Sequence, residues 1–200
     1  MPAGLAALMQ RAGSGRSLPP VDLWEPDFCG DLDMRIASDG TWFYMGTPIG
    51  REALVKLFAS VLRKDADGRT YLVTPVEKVG IWVDDAPFLA VEMAREGEEA
   101  DAAQGEAGRL IFRTNLGDLA PLDGDHPLRF ELDAKTHGLK AYITVRGRLE
   151  ALVTRALMYD LVAQAEEGCG EYAGLYGIRS GAHFFPVCSM DEIAMLEGME

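Results

Sequence analysis

The 200-residue chain is poor in cysteine, in positive charge and in long apolar runs. Its three cysteines, Cys29, Cys169 and Cys188, are an odd number without close spacing. That excludes a complete disulfide framework and a Cys-x-x-Cys zinc site, and reads as reduced thiols in a cytoplasmic protein. No stretch approaches the ~20 apolar residues of a membrane-spanning helix. The short run Leu5 to Met9 has no basic residue before it, so it makes a poor signal peptide. Lys and Arg number 19 against 32 Asp and Glu, for a formal net charge of −13. A field of that sign repels phosphate backbones and disfavours nucleic acid. There is no Gly-x-Ser-x-Gly elbow, no phosphate-binding Lys-Ser/Thr loop and no histidine pair at metal-ligand spacing. These absences argue against an enzyme and imply no cofactor and no metal.

What the chain does contain is regular patterning. Hydrophobic residues make up 48%, enough for a packed core. Leu32, Met34 and Ile36 alternate with Asp31, Asp33 and Arg35, the signature of a half-buried strand. Ser38-Asp39-Gly40 turns the chain into a return strand, Thr41 to Met45. Leu54, Leu57, Phe58, Val61 and Leu62 recur at three- and four-residue steps, which predicts a helix over 50–63. Strands follow at 71–73, 79–83, 88–93 and 110–114, with an acidic, glycine-rich loop at 94–108. Beyond Asp123 to Pro127 the order recurs: a strand from Leu128, a turn at Thr136-His137-Gly138, a strand at 140–145 and a helix over 147–165. Two short strands close the pattern, at 172–178 and 183–187.

The two halves also agree in residues. Gly40 lies 98 positions before Gly138, Tyr44 98 before Tyr142, and Ala53-Leu54-Val55 98 before Ala151-Leu152-Val153. Gly80-Ile81 matches Gly177-Ile178 at an offset of 97. Clean alternation and hairpin turns favour antiparallel sheets. The expected fold class is α+β, two tandem similar units, each a curved mainly antiparallel sheet wrapped around one amphipathic helix. The expected divisions are an arm at 1–20, a first unit at 21–122, a second at 123–189 and a tail at 190–200.

Several runs resemble a known bacterial family. They are Cys29-Gly30-Asp31-Leu32-Asp33-Met34-Arg35-Ile36, Asp39-Gly40-Thr41-Trp42-Phe43-Tyr44, Gly46-Thr47-Pro48-Ile49-Gly50-Arg51 and Tyr71-Leu72-Val73-Thr74-Pro75-Val76-Glu77-Lys78-Val79. Asp84-Asp85-Ala86-Pro87-Phe88, Phe112-Arg113-Thr114-Asn115 and Phe184-Phe185-Pro186-Val187 belong with them. Over about residues 21–188 the chain is similar to the family catalogued as domain of unknown function 1285. The resemblance implies two sheet-around-helix units with a loose likeness to pleckstrin-homology-type folds. It implies no established activity, and a signalling role only by analogy of fold. Two features depart from it: the acidic loop at 94–108 is longer than usual, and Trp82 stands where a polar residue is expected.

The candidate binding residues are Asp31, Asp33, Arg35, Trp42, Tyr44, Arg51, Lys78 and Trp82. Asp31 and Asp33 share a strand face about 7 Å apart, a spacing that suits acid–base work or a divalent cation. The plainer reading is a polar face on which Arg35 balances Asp33. Arg51 follows two glycines at a helix entry and could support a weak anion site. Trp42 and Tyr44 share one strand face, and Trp82 shares another with Lys78, where an aromatic is either covered or offered to a partner. The first expectation is therefore a non-enzymatic protein- or peptide-binding module that uses a sheet face or edge. The alternative is an enzyme binding a small molecule or anion between the units, near Asp31, Asp33, Arg35 and Arg51. The oligomeric state is not legible.

Overall fold

The computed structural model describes residues 18–96, 108–134, 136 and 138–189. Most of the expected arm and of the acidic loop, His137 and the tail lie outside the described residues. The chain divides into two compact units: Met1–Phe88 with Arg146–Leu149, and Leu89–Val145 with Glu150–Glu200.

In the first unit the strands are β1 (Phe28–Ile36), β2 (Trp42–Tyr44), β3 (Thr47–Pro48), β4 (Leu62–Lys64), β5 (Thr70–Val73) and β6 (Lys78–Val83). Helix α1 (Glu52–Ser60) lies between β3 and β4. The six strands form one sheet in the order β3-β2-β1-β6-β5-β4. Its hairpins are antiparallel, and β1 and β6 run parallel with shifts of register that bend the sheet. Val55, Phe58 and Ala59 of α1 are buried, and Phe58 stacks on Trp42 with ring centroids 6.3 Å apart. Met34, Ile36, Val61, Leu62 and Leu72 complete this core. The helix is short because Val61 and Leu62 leave it for the sheet, where the Val73 N–H donates to the Val61 carbonyl. Leu57, part of the predicted apolar stripe, is only half-buried.

The second unit is larger. Its strands are β7 (Phe88–Glu96), β8 (Arg109–Thr114), β9 (Leu119–Pro121), β10 (Leu128–Leu132), β11 (Leu139–Arg146) and β12 (Leu149–Val153), in the order β10-β11-β12-β7-β8-β9. Helix α2 (Arg155–Val162) follows, and then a three-stranded sheet of β13 (Ala165–Glu167), β14 (Leu175–Ser180) and β15 (His183–Ser189). Leu110, Phe112, Leu122, Ile143 and Leu161 are fully buried. Ser180 ties the two sheets together: its buried hydroxyl donates to the Leu122 carbonyl at 2.7 Å and accepts the Leu110 N–H at 2.9 Å.

The order β1-β2-β3-α1-β4-β5-β6 recurs as β10-β11-β12-α2-β13-β14-β15, and Gly40 and Gly138 both sit at the first hairpin turn. The fold class is thus α+β with two similar tandem units. The residue matches hold only for the first hairpin. Ala151-Leu152-Val153 is strand, not helix, because Gly147, at φ 52, turns the chain straight back and Leu149, Ala151 and Val153 face inward alternately. The second helix therefore spans 155–162, not 147–165, and Leu152 is half-buried. Gly80 and Gly177 fall on β6 and β14, which do not correspond. Residues 123–127, where a boundary is expected, form the turn from β9 to β10, with the Asp123 carboxylate accepting the N–H groups of Asp125 and His126 at 3.0 Å.

Candidate functional site

The outer face of the first sheet is built by alternation. Met34 and Ile36 of β1 point inward, so Asp31, Asp33 and Arg35 point outward. On β6, Val79 and Ile81 point inward and Lys78, Gly80 and Trp82 outward. The pairing sets Arg35 beside Trp82 and Asp31 beside Gly80, and on the other side Tyr71 of β5 beside Gly80. Trp82 is 66% exposed, whereas Trp42 is 2% exposed.

The charges on this face pair with one another. Arg35 donates to Asp84 at 3.0 Å and lies 4.9 Å from the Phe43 ring centroid, so it does not balance Asp33 as the sequence spacing predicts. Arg69 bonds Asp31 and stacks over Phe28 and Tyr71 at 5.7 and 5.5 Å. Asp31 holds the Arg69 guanidinium above its ordinary pKa. Lys78 reaches Asp65 at 3.2 Å and stacks over Tyr71 at 4.8 Å. Burial pushes the Asp65 carboxyl up, but the bonds from Arg63 and Lys78 outweigh it and the net shift is downward. The Tyr71 hydroxyl donates to Asp67 at 2.6 Å, which lowers the Asp67 pKa and raises that of Tyr71. Gly80 is what lets the Asp31–Arg69 pair lie flat on the sheet: a Cβ there would strike the Asp31 carboxylate and the Arg69 guanidinium.

Trp82 rises at one edge of this paired network. β5 begins at Thr70, opposite Ile81, so Trp82 and Val83 run on past it. The notch so formed is a hollow of about 210 Å³ beside the indole, lined also by Lys64, Arg69, Ile81, Val83 and Pro87.

The predicted residues separate accordingly. Asp31, Arg35, Lys78 and Trp82 share the outer face, and Asp33 is exposed on the same strand. Trp42 belongs to the core, since its ring fills the space over Phe58; its Nε1 has no hydrogen-bond partner among the described residues. Tyr44 is half-buried opposite Met34, and Arg51 is exposed at the N-cap of α1 without a side-chain capping bond. Phe28, Asp65, Arg69, Tyr71 and Gly80 were not legible as site residues. The Arg69–Asp31 pair spans 38 positions, and only the β1–β6–β5 pairing brings it together.

An open hollow of about 710 Å³ in the first unit has Asp22, Glu25, Lys64 and Asp67 in its lining and contains none of Asp31, Asp33, Arg35 or Arg51. Arg63 braces its wall, donating to the carbonyls of Val21 and Trp24 at 2.9 and 2.7 Å and to Asp65 at 2.6 Å. In the second unit His126 Nδ1 lies 3.1 Å from Asp123, beside a hollow of about 420 Å³ that includes His183. Among the described residues, no group of three or more His, Cys, Asp or Glu side chains is placed to hold a metal ion. No helix among them is long and apolar enough to cross a membrane.

Comparison with known proteins agrees with the two-part architecture. The family model "Domain of unknown function (DUF1285), N-terminal domain" matches residues 19–86, and "Protein of unknown function (DUF1285), C-terminal domain" matches residues 87–187. No curated protein matches the chain. Among solved structures, a DUF1285 family protein from Silicibacter pomeroyi DSS-3 is 43% identical, with a TM-score of 0.82 over 97% of this chain and 100% of that one. A DUF1285 family protein from Shewanella baltica OS155 is 30% identical, with a TM-score of 0.50 over 66% of this chain and 91% of that one. With both of its domains matched in order along the sequence, the chain belongs to the DUF1285 family.

Proposed function

We propose that the first unit is a protein- or peptide-binding module whose contact surface is the outer face of its sheet, with Trp82 as the anchor. The observation that carries this reading is an indole 66% exposed on a strand face whose cations Arg35, Arg69 and Lys78 each hold a carboxylate of the same unit. A tryptophan so placed leaves most of its surface in water in the folded monomer. Desolvated against a partner, it is the residue type most enriched among binding hot spots. The network beneath it holds the surface in shape before binding, which reduces the entropy lost on association.

The test is site-specific photo-crosslinking in a bacterial lysate. A photoreactive amino acid that keeps a large aromatic ring replaces Trp82 in one variant and Tyr159, an exposed ring on α2, in another. A discrete crosslinked protein from position 82 and none from 159 is the expected result. Equal labelling at both positions, or none at 82, overturns the reading.

A further inference from the structure

We infer that the segment held on this face is uncharged and aliphatic: an extended peptide that presents a prolyl or leucyl side chain to Trp82 and to the notch beside it. The inference rests on the sheet-face reading above and names the chemistry of its partner.

Charge is the first argument. Arg35, beside Trp82 on β1, and Arg69, just before β5 in the lining of the notch, each already hold a carboxylate and cover an aromatic ring. A charged partner group would have to displace Asp84 or Asp31, giving up one ion pair to form another and losing its own hydration as well. Among the described residues Lys64 is the one cation of the notch without an ion pair, and Asp85 lines the same notch with the opposite sign. Around the notch the charges cancel, Arg69 against Asp31 and Lys64 against Asp85 in sign, and the complement of a site without net charge is an uncharged side chain.

Size is the second argument. The notch, about 210 Å³, is several times the ~30 Å³ share of one water and below the ~300 Å³ at which small-molecule pockets begin. It is a hole for one side chain. The indole and Pro87 give it an apolar wall that suits an aliphatic side chain, beside Thr70 and Gly68. Shape is the third. The strand end past Thr70 is open along its length, so a chain lying on it is extended, and a proline-bearing segment is already extended before it binds.

The test uses calorimetric titration of the full chain with three synthetic peptides that differ only at the centre: Pro-Leu-Pro, Pro-Glu-Pro and Pro-Lys-Pro. The expected result is binding of the first, at least about tenfold weaker binding of the other two, and loss of binding in Trp82→Ala. Its affinity should change by less than about twofold between about 0.05 and about 0.5 M salt. Tighter binding of either charged peptide, or a tenfold loss in high salt, overturns the inference. Binding undiminished in Trp82→Ala overturns the sheet-face reading with it. Binding by none of the three overturns this inference alone, because the crosslinking experiment decides the sheet-face reading without them.

Discussion

At the scale of single residues, Asp65 shows how the outer face is held. It lies only part-exposed and accepts from both Arg63 and Lys78, at 2.6 and 3.2 Å. Its depressed pKa in the folded protein gives it stability that is present above the unfolded carboxyl pKa of about 4 and lost as pH falls through the lower folded value. Thermal stability is therefore expected to drop on acidification below about pH 4, and to drop less in Asp65→Asn, measured by calorimetry across pH. At neutral pH that variant should lose about 1–2 kcal/mol, since the amide keeps one acceptor oxygen for the two cations and carries no charge of its own. The partners of Asp65 were not legible from spacing. Arg63 is two positions away, but Lys78 is 13 away and reaches it only across β5. Arg35 shows the opposite hazard. Proximity in sequence pointed to Asp33, whereas the strand pairing brings up Asp84 instead.

At the scale of elements, burial decided what periodicity left open. Helix α1 is legible in its place but not in its buried face: Val55, Phe58 and Ala59 are buried, of which only Phe58 belongs to the predicted stripe, while Glu52 and Lys56 pair outside at 2.7 Å. Phe58→Ala should cost about 3–5 kcal/mol in chemical unfolding, because it removes a ring stacked in the core and leaves Trp42 without its neighbour. The second helix is misjudged at its start. Leu149, Ala151 and Val153 satisfy a strand as well as a helix over so short a stretch, and the Gly147 turn settles which. Ser180 is an element-level link of another kind. Removing its hydroxyl strands the buried Leu110 N–H, so Ser180→Ala should cost about 1–3 kcal/mol, whereas a loss under half of that would show that Ser180 does not join the two sheets.

At the scale of the whole molecule, the acidic balance and the repeated element order were legible, and the contact surface was legible only in part. Trp82 stood out in the sequence because it broke the polar side of an alternating strand. That it stands free, and that every cation near it is paired except Lys64, depends on six strands meeting in an order no local pattern encodes. The internal pairing also leaves the arginines beside the indole without free charge in a chain of net charge −13. The central claim is that Trp82 serves binding and not folding. The most direct measurement is the affinity of Trp82→Ala, relative to the parent chain, for the protein crosslinked at position 82. The account predicts a loss of at least about thirtyfold, the effect of a hot-spot residue of about 2 kcal/mol, with unfolding free energy unchanged within about 0.5 kcal/mol. An affinity within about twofold of the parent, or a destabilisation of about 2 kcal/mol or more, would contradict it.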